Sequence, residues 1–433
     1  MTLRTYLEQL DNRDGLTVIS SPISKTYEIA GVLKEIEPRP VMFENVKESD
    51  FRVIGNLFCS KITFADYFGI TVKELIPWLT KAIGKPRPCA LTMQAPCQEV
   101  AIEKVDLDDL PILRHCDKDG GNYISAGVVI TKHPRYGQNA DFHRCMQISK
   151  TEMAVRVVRS RHFDTFLQDL GKIDVAICVG NAPNVLAAAA TSVEIGMDEL
   201  EIANALEPLE LVRAKTVDVY VPAEAEFVIE GTVYNDRRHA EGPFVDLTGT
   251  YDIVREEPIL EVKAITHRRD AIWQALLPGA LEHKLLMGMP REPTIFHKVN
   301  QQVECLDVNV SPGGCSWLHA IVQIKKRSEQ DAEKAIRATF DGHRSCKHVF
   351  VVDEDIDIYD PLAVEWAMAT RFQGDRQMYI LPAEHGSSLD PSAEPGTYLT
   401  TKIGFDLTKP LDSKGKSFTK AVFPKVDLKQ YLP

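Results

Sequence analysis

The chain has 433 residues, 44% hydrophobic and 26% charged, and its 50 basic and 62 acidic residues give a formal charge of -12. The length predicts two or three domains, and the acidic balance argues against a nucleic-acid-binding protein, which normally has a basic face. The sequence predicts no membrane span and no signal peptide, because no apolar run approaches roughly 18 residues and the first residues lack an apolar region.

The cysteines are nine in number and scattered, and none forms a Cys-x-x-Cys pair. This spacing indicates neither a zinc knuckle nor a disulfide scaffold. We therefore expect a cytoplasmic protein with reduced thiols.

The first 110 residues alternate helix and strand signals. Apolar residues recur at helical spacing from Leu3 to Leu10 and again over 29–36, and residues 53–58 have the pattern of a strand. A capping box at 71–74 begins a helix that Gly84 can end. Residues 1–110 are therefore predicted to form an N-terminal α/β region.

The next segments are rich in Val, Ile, Tyr and Thr, a composition typical of strands. They are 122–131, 146–158, 217–221, 227–234 and 259–266. Residues 111–300 are predicted to form a mostly β domain, a barrel or sandwich, with one α/β excursion near 162–206. The run Ala187–Ala190 lies in that excursion and favours a packed helix.

The α/β rhythm returns after residue 300. Residues 317–325 and 349–352 read as strands and residues 328–340 as a helix, and Asp360-Pro361 offers an N-cap followed by a first-turn proline. Residues 301–433 are predicted to form a third, smaller α/β domain. The last thirty residues could be an arm around a neighbouring subunit or a loose tail.

The densest polar cluster of the β region is NADFHR at 139–144. It follows a predicted strand and a turn at 133–137, so one interpretation is a solvated hairpin tip. The other is a ligand site, because the planar fork of Arg144 can hold a carboxylate.

A second cluster is EGPFVD at 241–246. Two carboxylates five residues apart across a Gly-Pro turn can converge on one point. Glu241 could then pair with an arginine while Asp246 delivers a proton. The alternative is that both are solubilising residues of a loop.

A possible metal set combines Asn139, His162 and Glu199. These side chains would give a hard divalent cation, Mg²⁺ or Mn²⁺, a mixed oxygen and nitrogen shell with room for phosphate oxygens. Sequence spacing alone leaves open whether the three meet, and a single histidine is more often packed or exposed.

Together these segments resemble the UbiD family of prenylated-FMN-dependent decarboxylases, over about residues 100–409. The resemblance rests on several motifs in the family's order. They are GNYISAG at 121–127, NADFHR at 139–144, DELEIA at 198–203, LELV at 209–212, VPA at 221–223, EGPF at 241–244, VDED at 352–355 and KIGFD at 402–406.

The resemblance implies an α+β fold with an N-terminal α/β region, a central split β-barrel of flavin-reductase type and a C-terminal oligomerisation domain. It implies prenylated FMN as the cofactor, held through its phosphate by Mn²⁺ or Mg²⁺, with K⁺ nearby. The implied metal ligands are Asn139, His162 and Glu199. The implied cofactor-binding residues are Asn139, Ala140, Asp141, Phe142, His143, Arg144, Arg161, His162, Glu199 and Lys347.

The implied reaction is a reversible, non-oxidative decarboxylation of an aromatic, heteroaromatic or α,β-unsaturated acid. By resemblance, Arg144 holds the substrate carboxylate, Glu241 orients Arg144, and Asp246 protonates the carbon that loses CO₂. The chain departs from the ferulate-type pattern at Asp246, where those members have Glu. Asp141 and His143 are more polar than expected and could contact cofactor or solvent.

The substrate stays open, with an unsaturated acid of an isoprenoid pathway as the alternative to an aromatic acid. The segments 282–284 and 296–298 could line the pocket, and His297 could bind a second polar group. The expected assembly is a homo-oligomer, a dimer or hexamer, supplied with cofactor by a separate flavin prenyltransferase. Two competing hypotheses are a plain-FMN flavin reductase and a non-catalytic accessory subunit.

Overall fold

A computed structural model of the chain describes residues 2–412, 414–415, 417–421 and 423–431. The N-terminal region builds a four-stranded sheet covered by helices. Its elements are α1 (Leu3–Asp11), β1 (Thr17–Ile19), α2 (Glu28–Ile36), β2 (Val41–Phe43), β3 (Arg52–Gly55), α3 (Lys61–Phe68), α4 (Leu75–Gly84) and β4 (Ala90–Thr92). The helices predicted from apolar spacing are confirmed as α1 and α2, and the predicted capping box at Thr71 is present one turn before α4.

The central region is dominated by one antiparallel sheet. Its elements are β5 (Val100–Ile102), β6 (Tyr123–Ile124), β7 (Val128–His133), β8 (Gly137–Phe142), β9 (Cys145–Gln147), β10 (Glu152–Val155), α5 (His162–Leu170), β11 (Lys172–Val179), α6 (Pro183–Ala189), α7 (Glu199–Leu206), β12 (Glu210–Arg213), β13 (Tyr220–Pro222), β14 (Phe227–Glu241), β15 (Phe244–Val245), β16 (Tyr251–Asp252), β17 (Arg255–His267) and β18 (Ile272–Gln274). The nine-stranded sheet has the order β6-β9-β10-β17-β14-β11-β7-β8, with β5 paired to β17.

The long strands β14 and β17 form the middle of this sheet. They pair from Phe227–His267 to Glu241–Arg255, with register shifts after Glu230 and Tyr234. Residues 227–233 of β14 and 175–179 of β11 are buried on both faces of the sheet. Successive side chains of a strand point to opposite faces, so Val175, Ile177 and Val179 join one hydrophobic cluster while Ala176 and Cys178 join the other. The predicted excursion supplies α5, α6 and α7, and the alanine run is the buried helix α6.

The N-terminal and central regions share two smaller sheets. Strand β18 pairs in parallel with β3, which completes the order β1-β2-β3-β18. Strand β4 pairs in parallel with β12 in the three-stranded sheet β13-β12-β4. Two hydrophobic clusters run through both regions, so the sheets and helices around the central region pack as continuous cores.

The C-terminal region is an α/β domain on a five-stranded sheet. Its elements are α8 (Leu281–Gly288), α9 (Glu292–Asn300), β19 (Cys305–Val310), β20 (His319–Ile324), α10 (Asp331–Gly342), β21 (His348–Asp353), α11 (Pro361–Arg371), β22 (Met378–His385) and β23 (Leu399–Asp406), and the strand order is β19-β20-β21-β23-β22. Asp360 caps α11 by accepting from Leu362 N–H, with Pro361 in the first turn, as predicted.

The mixed α/β fold and its three-part organisation match the predicted fold class. Among the described residues, no helix combines the length and the apolar character that a membrane crossing would require. The predicted C-terminal arm or tail includes residues 413, 416, 422, 432 and 433, which lie outside the described part of the chain.

Candidate active site

The first functional cluster forms where β14 ends and a short hairpin begins. Glu241 is the last residue of β14, and Gly242 then adopts φ +101°, a left-handed conformation that residues with a Cβ rarely adopt. The chain turns back through the hairpin β15–β16, whose connecting loop begins with Asp246. This local path brings Glu241 and Asp246 to the same point, although β14 alone would carry the chain away.

Arg144 is the centre of this cluster. Its Nε and Nη2 donate to the two oxygens of Glu241 at 2.9 and 3.0 Å, and Nη1 donates to Asp246 Oδ2 at 3.0 Å. Nη2 also donates to Asp252 Oδ2 at 3.0 Å. We call Arg144, Glu241, Asp246 and Asp252 the ionic clamp.

The members of the ionic clamp differ in exposure. The Glu241 side chain is 0% exposed, Asp252 is 10% exposed and Asp246 is 21% exposed. Burial opposes the charge of Arg144, but the carboxylates outweigh this effect and raise the pKa of the guanidinium, which stays protonated. Glu241 is therefore the fixed counterion, and Asp246 is the carboxyl most open to a ligand.

A second layer fixes the clamp from two sides. Tyr123 donates its hydroxyl to Glu241 Oε1 at 3.0 Å, and its ring lies 3.9 Å from the Phe244 ring. Asp252 accepts from Arg255 Nη1 at 2.5 Å, and these cations outweigh the effect of burial and lower the pKa of Asp252. The Arg144 guanidinium lies over Phe244 at 5.3 Å.

Sequence reasoning missed Asp252 as a partner of Arg144. In the hairpin, Asp252 pairs with Phe244, so its side chain joins the clamp only because of that register. The Thr248-Gly249 turn signal could have predicted the hairpin and hence this pairing. Tyr123 lies within the GNYISAG motif at 121–127, and the sequence alone gives it no role.

His283 also belongs to this end of the site. It lies in the first turn of α8, where its Nδ1 accepts from Gly279 N–H at 2.9 Å. Burial lowers the pKa of His283, partly opposed by the charge of Asp246 and reinforced by Arg144. The predicted pocket segment 282–284 therefore has one member beside the ionic clamp.

His297 lies exposed on α9, where its Nε2 is 2.9 Å from Gln301 Nε2. No described contact joins it to the ionic clamp, and its role at a second polar group of the substrate stays a prediction.

Two of the predicted metal ligands contact each other, and the third binds the backbone of the adjacent residue; we call Asn139, His162 and Glu199 the metal-side cluster. Asn139 lies on β8, and its Oδ1 is 2.9 Å from His162 Nδ1 at the start of α5. Glu199, in the first turn of α7, accepts from the neighbouring Ala140 N–H at 2.9 Å. The segment around Asn139 is therefore a buried strand and not a solvated hairpin tip.

The charges of the metal-side cluster fit a bound cation. Glu199 is buried, and burial raises its pKa well above the usual range with help from Asp141 and Asp198. Asn139 Nδ2 is buried without a hydrogen-bond partner among the described residues. Burial lowers the pKa of His162, so its imidazole is neutral and can offer Nε2 to a metal. A divalent cation would compensate the buried carboxylate.

Asp141 and His143 contact each other and do not simply face solvent. His143 Nε2 lies 2.9 Å from Asp141 Oδ1, and its Nδ1 lies 2.8 Å from Arg156 O. Burial would lower the pKa of His143, but the Asp141 carboxylate outweighs burial and raises it. Ala140 is fully buried and Phe142 half-buried on the same strand.

The two basic side chains predicted to bind the cofactor, Lys347 and Arg161, differ in their surroundings. Lys347 forms an ion pair with Asp390 at 2.8 Å and donates to Ser392, and no described contact joins it to the metal-side cluster. Arg161 is the exposed N-cap residue of α5, directly before His162. Its charge acts on Arg291, a residue that sequence reasoning did not single out.

Three family models match successive parts of the chain. Residues 7–83 match the 3-octaprenyl-4-hydroxybenzoate carboxy-lyase N-terminal domain, residues 90–281 its Rift-related domain and residues 284–407 its C-terminal domain.

Two relatives are described as anhydromevalonate phosphate decarboxylase. The protein of Methanothermobacter thermautotrophicus is 41% identical over 96% of this chain and 98% of its own length. That of Methanosarcina mazei is 40% identical over 98% of this chain and 100% of its own length.

Solved structures agree with these matches. The UbiD-class enzyme HmfF from Pelotomaculum thermopropionicum, in complex with FMN, has a TM-score of 0.96 and 36% identity over 100% of both chains. An evolved dimeric form of HmfF, in complex with prFMN, has a TM-score of 0.92 and 34% identity, again over 100% of both chains. The 3,4-dihydroxybenzoic acid decarboxylase of Klebsiella pneumoniae has a TM-score of 0.91 and 27% identity over 100% of this chain and 99% of its own.

Proposed function

This chain belongs to the UbiD family of carboxy-lyases, and we propose that it removes CO₂ from a phosphorylated, unsaturated carboxylic acid with prenylated FMN as its cofactor. The observation that carries the proposal is the ionic clamp. One arginine is held by a buried carboxylate while a second, more exposed carboxylate lies on its outer nitrogen. Binding a carboxylate and moving a proton beside it require this combination.

Arg144 would bind the carboxylate of the substrate. Its Nε and Nη2 donors are engaged by Glu241 and Asp252, whereas Nη1 contacts only Asp246 and keeps one further N–H. A substrate carboxylate can therefore add at Nη1 or replace Asp246 there. Glu241 is the positioning residue, because its bidentate contact and Tyr123 keep the guanidinium plane fixed.

Asp246 would return the proton. When the bond to the carboxyl carbon breaks, CO₂ leaves and the electron pair stays with the substrate carbon, to which Asp246 delivers a proton. The bound cofactor supplies the electron sink for that pair. In the reverse direction Asp246 accepts the proton, so the same residue serves a reversible reaction.

The metal-side cluster would hold the cofactor's phosphate through a divalent ion. Asn139, His162 and Glu199 supply the ligand types that Mn²⁺ or Mg²⁺ accepts, and a K⁺ nearby is part of the proposal. The cofactor would lie along residues 139–144 and 161–162. The proposed role of Lys347 at the phosphate requires it to leave Asp390.

The phosphorylated substrate is supported by relatives of full length. Two proteins about 40% identical over nearly the whole chain are named for anhydromevalonate phosphate, and three more from other archaea are 32–39% identical. Loss of CO₂ from such an acid leaves the corresponding alkenyl phosphate. An aromatic or heteroaromatic acid is the second candidate, favoured by the similarity to a dihydroxybenzoic acid decarboxylase.

The test is co-expression with a flavin prenyltransferase followed by native mass spectrometry and absorbance spectroscopy of the purified protein. Bound prenylated FMN with a divalent metal is expected. CO₂ release and deuterium incorporation are then compared for anhydromevalonate phosphate and for a panel of furan, pyrrole and benzoic acids. A protein that binds only FMN and transfers hydride would favour a flavin reductase, and one without turnover on any acid would favour an accessory subunit.

The proposal extends to the cellular location and the oligomeric state of the enzyme. All nine cysteines are free thiols, which supports a reducing cytoplasm. A homo-oligomer, either dimer or hexamer, is proposed from the family resemblance. Sedimentation of the loaded enzyme would distinguish the two states.

A further inference from the structure

Arg291 is an arginine that has no carboxylate partner among the described residues. It follows α8 in the single turn Met289–Arg291, where it donates to the Ser192 hydroxyl and, at 3.5 Å, to Ala190 O. Its Nε is buried without a hydrogen-bond partner in the described part of the chain. The guanidinium lies over the Trp317 ring at 5.1 Å. The residue is half-buried, and a partly desolvated charge is costly unless a ligand of opposite charge joins it.

A second arginine, Arg161, adds to the uncompensated positive charge of Arg291. Burial, together with the charge of Arg161, lowers the pKa of Arg291 to about 10. His343 lies nearby, and burial with the charges of Arg291 and Arg161 lowers its pKa to about 3, so its imidazole is neutral. No ion pair with a carboxylate is present for Arg161 or Arg291 among the described residues. Two cations whose charges repel each other are unfavourable in the protein alone and favourable around a dianion.

The arginine pair is connected along the chain to both ends of the proposed active site. Arg161 directly precedes His162 of the metal-side cluster. Arg291 is the last residue of the turn between α8 and α9, and His283, whose pKa responds to the charges of Asp246 and Arg144, lies in the first turn of α8. At 1.5 Å per residue, the eight-residue step from His283 to Arg291 covers roughly 12 Å. One short segment therefore connects the carboxylate end of the site with the arginine pair.

We propose that Arg291, together with Arg161, forms a phosphoryl-binding subsite of the active site. The planar fork of arginine matches phosphate oxygens, and a dianion would compensate both guanidinium groups. The inference rests on the proposed function and extends it to the recognition of the phosphoryl group. That group can come from the substrate or from the flavin, because both carry one.

The experiment compares Arg291→Met with wild type in two arms. The first measures binding of FMN to the metal-loaded apoprotein by fluorescence quenching. The second measures KM and kcat of the prenylated-FMN holoenzyme for anhydromevalonate phosphate and for the same acid without its phosphate. Arg337→Met is the matched control, because Arg337 is exposed on α10 and pairs with Glu333.

A substrate origin predicts that Arg291→Met raises KM for the phosphorylated acid on the order of 10²-fold. It leaves FMN affinity and activity on the unphosphorylated acid unchanged. A flavin origin predicts that FMN affinity falls by a similar factor and that both acids are affected equally through cofactor loss. Either result supports the subsite. Wild-type values in both arms would overturn it.

The variant should fold, because it removes a half-buried charge that has no carboxylate partner among the described residues and keeps apolar volume beside Trp317. An unchanged or higher unfolding midpoint of the ligand-free protein is expected, whereas a purely structural arginine would lower it. Should Arg291→Met not fold, Arg291→Lys keeps the charge without the fork, and the same two arms apply to it. If wild-type enzyme does not turn over anhydromevalonate phosphate, the proposed function fails, while the FMN arm and inhibition by inorganic phosphate still test the subsite.

Discussion

The two ends of the site differ in how their charges are compensated. In the ionic clamp, each carboxylate lies 2.9–3.0 Å from a guanidinium nitrogen of Arg144. At the other end, Glu199 of the metal-side cluster is buried with a backbone N–H as its donor, and the half-buried Arg291 has no carboxylate partner among the described residues. The first end is therefore assembled by the chain alone, and the second requires ligands. This difference separates the residues that handle the substrate carboxylate from those that recruit ions and phosphate.

The largest effect on activity is expected from Arg144→Ala, which removes the cation of the ionic clamp, the end of the site that the chain assembles alone. The value of kcat/KM should fall about 10³-fold or more, because the donor that binds the carboxylate is lost. Glu241 would stay buried without its cation, which costs about 3–5 kcal/mol of stability. Turnover and urea unfolding measure the two effects, with Arg337→Ala as the control. Unimpaired turnover would rule out the assigned role of Arg144.

Asp246→Asn tests the proton donor at the same end. Turnover should fall by about 10²–10⁴-fold, whereas stability should change little because this carboxylate is 21% exposed. Deuterium incorporation at the carbon that loses CO₂ is the direct measurement. Asp252→Asn is the matched control, since it removes another carboxylate from the same guanidinium and should change KM more than kcat. Equal losses in both variants would assign Asp246 an electrostatic role only.

Glu199→Gln tests whether the metal-side cluster depends on a bound cation. Burial raises the pKa of Glu199, so the metal-free protein prefers the protonated acid and loses stability as pH rises above the unfolded pKa, about 4.3. Mn²⁺ should restore about 2.7 kcal/mol at 100 times its Kd in wild type.

The variant should lose both the pH dependence and the response to Mn²⁺, measured by thermal unfolding between pH 5 and 8. Glu201→Gln, two residues along α7, is the control and should behave as wild type. A full Mn²⁺ response in Glu199→Gln would place the metal elsewhere.

The sequence predicts the elements of the fold better than their ends. The apolar spacing that predicts α1 and α2 is local, so the structure reproduces these helices closely. The predicted strand 227–234 is the buried half of β14, which continues to Glu241 through a register shift at Tyr234. Its second half is half-exposed and polar, and only pairing with β17 keeps it extended.

The residues of the candidate site also divide into those that local sequence predicts and those that only tertiary structure places. The convergence of Glu241 and Asp246 was predictable because a Gly-Pro turn reverses the chain locally. Asp252 and Arg291 were not predictable, since their positions depend on a hairpin register and on the packing of α8 against the central region. Neither residue has a local sequence signal. Contacts set by tertiary structure are what the sequence alone did not supply.

The smallest effect is expected from Glu282→Gln, which tests whether burial of a carboxylate is itself enough to create a metal response. Glu282 is buried, and burial raises its pKa to about 8, although backbone N–H groups such as that of Leu57, at 3.2 Å, oppose the shift. Because the folded state favours the protonated acid, stability should decline from about pH 4.3 to 8, by at most about 1.4 kcal/mol per pH unit. The amide keeps the acceptor oxygen and should flatten this decline. Its Mn²⁺ response should equal that of wild type, because the Leu57 N–H donates to one oxygen of Glu282 and no described contact joins Glu282 to the metal-side cluster. A lost Mn²⁺ response would mean that burial anywhere near the site couples to the metal, and the contrast between its two ends would no longer hold.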